Sequence, residues 1–256
     1  MNYLAVIEYC GTNYEGWQSQ TGSCSRRGGK TVENEINRAI KIFTGTDTKL
    51  LVSGRTDAGV HALNQVANFK LPFFYDTNKF KIALNGILPH DISIKNIETV
   101  HDSFHATRDT LSKTYLYKIN SGFRSPLLIN RSWFVKEELN LDIMNSSASV
   151  FLGMNDFFNF TRKESNDKNK NYNRIITEIK ICKERYGYDI LIEGGGFLRN
   201  MARRIVGALI FCGTGKTDID CLKKMLRERN FICNSVCAPP CGLFLHSVKY
   251  KHKIYC

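Results

Sequence analysis

The chain has 256 residues, of which 43% are hydrophobic, and it carries a formal net charge of +12 at pH 7. That length is enough for one large or two small domains with a substantial core. No apolar run approaches the roughly 20 residues that a membrane-spanning helix needs. The segment Met1–Glu8 lacks the basic region of a signal peptide, so we expect a cytoplasmic protein without membrane association. The positive charge favours a polyanionic partner, most simply a nucleic acid.

The first part of the chain predicts the order strand, helix, strand, strand, helix, strand. Alternating apolar residues indicate strands, and apolar residues three or four positions apart indicate helices. Thr31 is placed to cap the first helix. The predicted elements are a strand over 2–9, a helix over 32–43, strands over 50–52 and 65–71, a helix around 80–87 and a strand ending at 100. This order is typical of an α+β fold of the ferredoxin-like kind. Between the first strand and helix, residues 19–30 predict a polar, basic loop that either is simply solvated or contacts RNA phosphates.

A glycine-bounded loop follows the short strand at residues 50–52. Its sequence is Ser53-Gly54-Arg55-Thr56-Asp57-Ala58-Gly59-Val60-His61. A tight loop between two strands presents a side chain at the edge of a scaffold, so Asp57 is a candidate reactive group. The same Arg-x-Asp pattern is also compatible with a surface turn that holds a weak ion pair. We expect His61 to be a hydrogen-bonded structural histidine.

The second part of the chain predicts a similar alternation of strands and helices. The predicted strands cover 111–119, 175–183, 188–193 and 242–248, and the predicted helices cover 141–151, 197–207 and 218–229. Period-two geometry puts Tyr115 and Tyr117 on one face of their strand. Arg199 and Arg203 are four positions apart in a predicted helix and would share its face. We predict two α+β domains, 1–105 and 106–256.

Two further patterns are weak indications of ligands. Cys233, Cys237 and Cys241 recur every four residues, whereas structural zinc sites usually contain Cys-x-x-Cys knuckles. Reduced, partly buried thiols are expected instead. The segment Gly213–Thr217 looks like the end of a phosphate-binding loop, but the required first glycine is Ile210 and a helix precedes it. We expect these glycines to end the helix, and we expect no metal and no cofactor.

Several blocks of the chain resemble the tRNA pseudouridine synthase A family, in the family's order. The loop at 53–61 and the segment Phe197–Gly207 carry the most specific resemblance, and Thr12–Gln20, Phe104–Ala106 and Gly242–Leu245 carry a weaker one. The resemblance as a whole extends over nearly the whole chain. The resemblance implies an α+β fold of two ferredoxin-like, RRM-like halves. These would form an extended mixed, mainly antiparallel sheet with helices on one face and an RNA-binding cleft between the halves.

The resemblance also implies a reaction, the isomerisation of uridine to pseudouridine in tRNA, which needs no cofactor. Asp57 would be the nucleophile or base of this reaction. An arginine at the position of Arg203 would form an ion pair with Asp57. Tyr115 would stack on the target uracil, with its hydroxyl as a possible base at C5.

Other residues would bind the substrate if the resemblance holds. A stacked uracil must first be flipped out of the RNA, and Arg55 would fill the vacated space or hold the displaced nucleotide. Leu245 would cover the base on its other side, although its pattern is equally typical of an ordinary core leucine. Arg199 would be a further contact to the RNA. The family's substrate is the anticodon stem-loop, where neighbouring uridines on the 3′ side are modified, and the family's enzyme is a homodimer.

Composition leaves other functions open. A non-catalytic RNA-binding or chaperone protein on the same scaffold would have the same basic surface and the same salt-sensitive binding. The segments around Cys233 and Gly213 are the basis for a third hypothesis, a zinc-dependent or nucleotide-dependent nucleic-acid enzyme. The presence of Asp57, Arg55, Arg203 and Tyr115 favours catalysis over both.

Overall fold

The structure, a computed structural model, describes residues 1–18, 29–162, 171–229, 231, 233–234 and 236–251. The basic loop predicted at 19–30 therefore lies almost wholly outside the described residues. The described chain forms two compact units. The first unit is Met1–Leu111 with the last strand from Phe244, and the second unit is Ser112–Leu243. The predicted division into domains at residue 105 stays a prediction, because compactness alone does not show that a unit folds by itself.

Strands and helices occur in both units, which confirms the predicted α+β class. In chain order the elements are β1 (Asn2–Tyr9), α1 (Val32–Thr44), β2 (Leu51–Val52), β3 (His61–Lys70), α2 (Thr77–Ile87), β4 (Ile92–Val100), β5 (Thr110–Ser121), β6 (Trp133–Val135), α3 (Leu141–Ser149), β7 (Gly153–Asp156), β8 (Asn173–Glu184), β9 (Gly187–Gly194), α4 (Met201–Gly213), α5 (Ile219–Arg227) and β10 (Leu243–Tyr250). Within the described residues, no helix is both long enough and apolar enough to cross a bilayer.

The sheet of the first unit has the strand order of a ferredoxin-like fold. β1 lies between β4 and β3 and pairs antiparallel with both. One edge of β3 carries two further strands. β2 pairs antiparallel near the end of β3, where Leu51 faces Asn68, and β10 pairs parallel at its start, where Phe244 faces His61. The start of β3 is thereby fixed between strands on both sides.

Local signals define the first helix as predicted. The Thr31 hydroxyl accepts a hydrogen bond from the Asn34 amide at 3.3 Å, and Gly45 ends the helix in the left-handed conformation, with φ 71°. The apolar stripe of α1 is buried, as its spacing requires. Its buried members are Val32, Ile36, Ala39 and Ile40.

The second unit contains an antiparallel sheet in the order β5, β9, β8, β7, with β6 parallel to β5. The strands predicted over 175–183 and 188–193 form an antiparallel hairpin, β8 with β9, that turns at Tyr186-Gly187. Gly187 has φ 144°, and a Cβ there would overlap the carbonyl oxygen of Ile119 on the neighbouring strand. Glycine is therefore required at this position both by conformation and by close approach.

The prediction of a helix over 197–207 is wrong at its start, because α4 begins only at Met201. Asn200 adopts the left-handed conformation, with φ 61°, which asparagine tolerates but a helix interior excludes. The Arg199 carbonyl accepts from the Thr161 hydroxyl at 3.0 Å and from the Arg162 amide at 3.1 Å. These tertiary bonds take Arg199 out of the helix, so it does not share a helical face with Arg203.

The glycines after this helix act as predicted. Gly213 is the last residue of α4. Gly215 is left-handed with φ 71°, and its amide donates to the Cys212 carbonyl at 3.0 Å. The Gly213–Thr217 segment is therefore the C-terminal end of a helix. It is not a phosphate-binding loop, because such a loop follows a strand.

Candidate active-site loop and its surroundings

Asp57 lies in the loop between β2 and β3, and β3 anchors the start of this loop. The Ser53 amide donates to the Val66 carbonyl at 2.8 Å, and the Ser53 hydroxyl donates to the Gln65 Oε1 at 2.7 Å. The Gln65 Nε2 in turn donates to the Gly54 carbonyl at 2.9 Å. Ser53 and Gln65 are fully buried, so the entry to the loop is fixed within the protein interior.

β1 and the segment after it support the middle of the loop. The hydroxyls of Tyr9 and Thr56 form a buried hydrogen bond of 2.7 Å. The Thr56 carbonyl accepts from the Trp17 amide at 3.1 Å. Burial raises the pKa of Tyr9 to about 12, so this hydroxyl stays neutral at physiological pH. Both the side chain and the main chain of Thr56 are therefore held next to Asp57.

The loop also packs directly against backbone at two glycines. A Cβ on Gly16, which has φ 105°, would lie 2.5 Å from the Thr56 carbonyl oxygen and 3.1 Å from the carbonyl carbon of Asp57. A Cβ on Gly11 would overlap the Val60 carbonyl oxygen. The loop closes on itself as well, since the Val60 amide donates to the Asp57 carbonyl at 3.1 Å. Asp57 is thus half-buried in a loop that has little room to move.

His61 ends the loop as a structural residue, as predicted. Its Nδ1 accepts a hydrogen bond from the Gly11 amide at 3.1 Å. Its ring stacks on Phe244 of β10, with ring centroids 4.6 Å apart. The next residue of β10, Leu245, is fully buried and faces Ala62 across the parallel pair. Leu245 therefore lies on the strand beside the end of the Asp57 loop.

Arg55 is exposed and lies near the first turn of α1. Burial raises the pKa of Glu33 in that turn, and the positive charge of Arg55 partly offsets this rise. A guanidinium that is exposed and loosely paired can reorient towards a ligand at small cost. Arg55 therefore differs from Asp57, whose loop neighbours are fixed.

In the second unit, Tyr115 and Tyr117 lie on β5 but have different surroundings. The Tyr115 ring meets Phe197 edge to face, with centroids 4.8 Å apart and planes at 80°. Tyr117 is fully buried and donates its hydroxyl to the Pro239 carbonyl at 2.8 Å. Both tyrosines are therefore buried, and Tyr115, at 8% exposed, packs against Phe197, which lies between the Gly194–Gly196 segment and α4.

Arg203 lies in the first turn of α4 and is oriented by carbonyl and amide oxygens. Its Nε donates to the Ala238 carbonyl at 2.6 Å, and its Nη1 donates to the Asn200 Oδ1 at 3.3 Å. The Ala238 amide also donates to the Arg203 carbonyl at 3.1 Å. The half-buried guanidinium is therefore fixed in direction by neutral acceptors.

Lys113 is a functional candidate that motif reasoning missed. It lies on β5 two residues before Tyr115, and therefore on the same face of the strand, and it is paired with Gly194. Burial lowers the pKa of Lys113 to about 8. The period of the strand could have indicated this lysine, because it puts a cation on the same strand face as the tyrosine.

The cysteines of the segment after α5 contact uncharged groups. The Cys233 Sγ lies 3.0 Å from the Met225 Sδ, and the Cys241 Sγ lies 3.5 Å from the Ser132 carbonyl oxygen. Over the described part of the chain, no three His, Cys, Asp or Glu side chains are grouped so that they could hold a metal ion.

The predicted site residues are divided between the two units. Asp57, Arg55 and Leu245 belong to the first unit, and Tyr115, Arg199 and Arg203 belong to the second. Within the first unit, Asp57 and Leu245 are both tied to the start of β3. The ion pair of Asp57 with Arg203 would join the two units, and it stays a prediction.

Sequence comparisons identify relatives over nearly the whole chain. The sequence profile described as tRNA pseudouridine synthase matches residues 5–107 and 148–251. A protein of Acetivibrio thermocellus named tRNA pseudouridine synthase A is 41% identical over 250 residues, which are 97% of this chain and 99% of the relative. A Bacillus cereus protein named tRNA pseudouridine synthase A 2 is 38% identical over 252 residues, and a tRNA pseudouridine synthase A of a Thermoanaerobacter species is 38% identical over 250 residues, each with the same coverage of both chains.

Proposed function

The chain belongs to the tRNA pseudouridine synthase family, and we propose from this that it isomerises uridine to pseudouridine in tRNA. The observation that carries the proposal is the Asp57 loop. It presents one half-buried carboxylate between anchored neighbours, within a segment that the family profile matches. Rigid placement of a reactive group is what an isomerase without a cofactor requires.

The reaction breaks the bond between ribose C1′ and uracil N1, rotates the detached base and joins C1′ to C5. The proton on C5 is then lost and N1 gains a proton, so that the product is an isomer of the substrate. Water is not a reactant, so a second carboxylate to activate water, as inverting glycosidases use, is not needed. Asp57 acts either as the nucleophile at the ribose or as the base that removes a ribose proton. Both roles require an ionised carboxylate in a fixed direction.

Arg203 and Tyr115 supply the remaining chemistry in this proposal. A guanidinium next to a carboxylate favours its ionised form and orients it through paired hydrogen bonds. The Arg203 guanidinium has a fixed direction suited to this task, since Ala238 and Asn200 hold it. Tyr115 stacks on the uracil, and its hydroxyl is a possible base at C5, which takes the C5 proton after it has given up its own.

Binding of the target nucleotide involves Arg55, Leu245 and Arg199. A base must leave its stack to reach Asp57, and the exposed Arg55 takes its place or holds the displaced nucleotide. Leu245 is fully buried, so in this proposal a neighbouring side chain moves aside and Leu245 then covers the extruded base and keeps out water. Arg199 contacts the RNA. The support for these roles is the position of Leu245 beside the start of β3 and the exposure of Arg55.

We extend the proposal to the anticodon stem-loop as substrate, with uridines on its 3′ side as targets. A cytoplasmic homodimer is the form that we propose binds tRNA. These points rest on the family resemblance and on the net charge of +12. If six to ten phosphates are neutralised, tRNA affinity should fall by roughly 10³–10⁵ between 50 and 200 mM salt.

The test is release of tritium from tRNA that carries [5-³H]uridine, because C5 loses its hydrogen only if the base is reattached through C5. Asp57→Asn keeps the shape of the side chain but removes its charge. It should lower the rate by on the order of 10⁴-fold with tRNA affinity near wild type. Asp47→Asn is the control, because Asp47 is an exposed aspartate that pairs with Lys41 at 2.8 Å. It should react as wild type.

Two outcomes would contradict the proposal. Full activity of Asp57→Asn would exclude Asp57 as the reacting group. Salt-sensitive tRNA binding by the wild-type protein with no tritium release from any tRNA would instead favour a non-catalytic RNA-binding protein.

A further inference from the structure

The loop that carries Asp57 is supported by polar side chains from two neighbouring strands. We propose that Tyr9 of β1 and Gln65 of β3 are positioning residues that set the location of the Asp57 carboxylate through Thr56, Ser53 and Gly54. The inference rests on the proposed function of Asp57. Neither residue is expected to touch the substrate.

The two residues hold the loop at different points. Gln65 bonds through both ends of its amide, accepting from the Ser53 hydroxyl at 2.7 Å and donating to the Gly54 carbonyl at 2.9 Å. Tyr9 bonds to the Thr56 hydroxyl at 2.7 Å. Asp57 is the residue that follows Thr56, so these three bonds fix the chain immediately before the reactive carboxylate.

The strand pairing is irregular where these two side chains meet. Ile7 of β1 faces Gln65 of β3, but Tyr9 faces Ala62, so β3 contains one extra residue between the two pairs. Irregularities of this kind re-aim side chains. The Gln65 amide also hydrogen-bonds the Tyr9 side chain. Tyr9, Gln65, Thr56 and Ser53 therefore form one connected network.

Because the network is buried, the position of the loop depends on each of its hydrogen bonds. Exposure is 3% for Tyr9, 8% for Thr56 and 0% for Gln65, so water does not readily replace a lost partner. An unpaired buried hydroxyl or amide is costly, and the loop would shift to relieve it. A displacement of about 1 Å at a reacting group can lower a rate by about 10²-fold.

The decisive variant is Tyr9→Phe, which removes only the hydroxyl. We expect kcat in the tritium-release assay to fall at least about 10-fold, while KM for tRNA stays within about 2-fold. Thr56→Val removes the partner hydroxyl at nearly constant shape and should give a loss no larger than that of Tyr9→Phe, which also breaks the bond to the Gln65 amide. Because the bond between Tyr9 and Thr56 is already lost in Tyr9→Phe, the double variant should be no slower than Tyr9→Phe. Thr56→Ser, which keeps the hydroxyl, should recover most of the activity.

Tyr3→Phe is the matched control on the same strand. Tyr3 is also fully buried, and its hydroxyl accepts from the Tyr75 amide at 2.7 Å. The change therefore removes an equally buried hydroxyl from β1, but one that serves residues 73–75 and not the Asp57 loop. It should lower thermal stability as Tyr9→Phe does and leave kcat at the wild-type value.

Failure of this inference differs from failure of the proposed function. If the wild-type protein releases no tritium, the function is wrong. If the wild type is active but Tyr9→Phe and Tyr3→Phe have equal kcat, Tyr9 supports only the fold and the inference is wrong. Losses of Tyr9→Phe and Thr56→Val that multiply in the double variant would also overturn it, because the two hydroxyls would then act independently.

Discussion

The Asp57 loop and the region around Arg203 are held in place by different physical means. The loop is held by hydrogen bonds between neutral, buried groups, chiefly Tyr9 with Thr56 and Ser53 with Gln65. Such bonds do not change with pH over the physiological range, since burial raises the pKa of Tyr9 to about 12. The carboxylate of Asp57 is therefore presented by a scaffold that is already in place before any ligand binds.

The second unit, which contains Arg203, instead has cations that are partly removed from water. Burial lowers the pKa of both Lys113 and Arg174. The Arg204 Nε is buried without a hydrogen-bond partner among the described residues. Desolvation of a cation costs free energy that a nearby anion offsets. The comparison sets hydrogen bonds between neutral groups in one region against partly desolvated cations in the other.

The largest expected effects on stability come from two glycines, one packed closely against each region. A Cβ on Gly11 would overlap the Val60 carbonyl oxygen beside Asp57, and a Cβ on Gly207 would overlap the Val236 carbonyl oxygen near Ala238. We expect Gly11→Ala and Gly207→Ala each to lower the free energy of unfolding by roughly 2–4 kcal/mol, measured by urea denaturation. Val60 and Ala238 adjoin groups proposed for catalysis, so the folded fraction of each variant should also react more slowly.

Gly86→Ala is the control for these two variants. Gly86 lies in α2 with no atom within 4 Å of the position that a Cβ would occupy. Alanine should stabilise this helix by about 0.5–1 kcal/mol relative to glycine. A loss of stability at Gly86 equal to that at Gly11 would show that packing against Val60 is not what makes Gly11 sensitive.

A smaller effect should show how much the buried cation of Lys113 lowers the free energy of unfolding. With its pKa lowered from 10.5 to about 8, Lys113 binds its proton less tightly in the folded chain than in the unfolded chain. The free energy of unfolding should therefore rise with pH between about 8 and 10.5, and the penalty below pH 8 is at most about 3 kcal/mol. Lys113→Met should be more stable than wild type at pH 7 and lose that advantage by pH 10.5, as followed by urea denaturation.

Lys113→Arg provides the reference for that experiment. Arginine stays protonated throughout this pH range, so the variant should keep the desolvation penalty at pH 10, where the wild-type protein has lost it. Equal pH dependence of the wild type and Lys113→Met would mean that Lys113 is not the source of the slope.

The sequence predicted the elements whose signals are local. The Thr31 cap and the apolar spacing from Val32 define α1, and the hairpin at Gly187 follows from its turn residue. The start of α4 could not be predicted in this way, because Asn200 is left-handed and the Arg199 carbonyl is used by Thr161. The spacing of apolar residues does not indicate a left-handed residue or a tertiary hydrogen bond.

The candidate site also has a part that could be predicted from local sequence and a part that could not. Asp57 could be identified from its motif, because a glycine-bounded loop between strands is a local pattern. Its support by Tyr9 and Gln65 could not, since these residues are far apart in sequence and meet only through strand pairing and an irregular register. The partial desolvation of Lys113 likewise depends on packing, although the strand period puts it on the face of Tyr115.

The smallest predicted effect concerns the direction of a charge, as distinct from its presence. Arg203→Lys keeps a cation but loses the planar group that donates to Ala238 and Asn200. We expect kcat for tritium release to fall by about 10-fold, which corresponds to about 1.4 kcal/mol of activation free energy. Arg204→Lys is the control on the same helix turn, because the Arg204 Nε has no hydrogen-bond partner among the described residues and the change therefore removes no bond at that atom. Its kcat should equal that of wild type. If Arg203→Lys keeps wild-type activity, charge alone matters in this region, and the fixed geometry around Arg203 has no part in catalysis. Equal losses in both variants would show that the loss does not come from the bonds to Ala238 and Asn200.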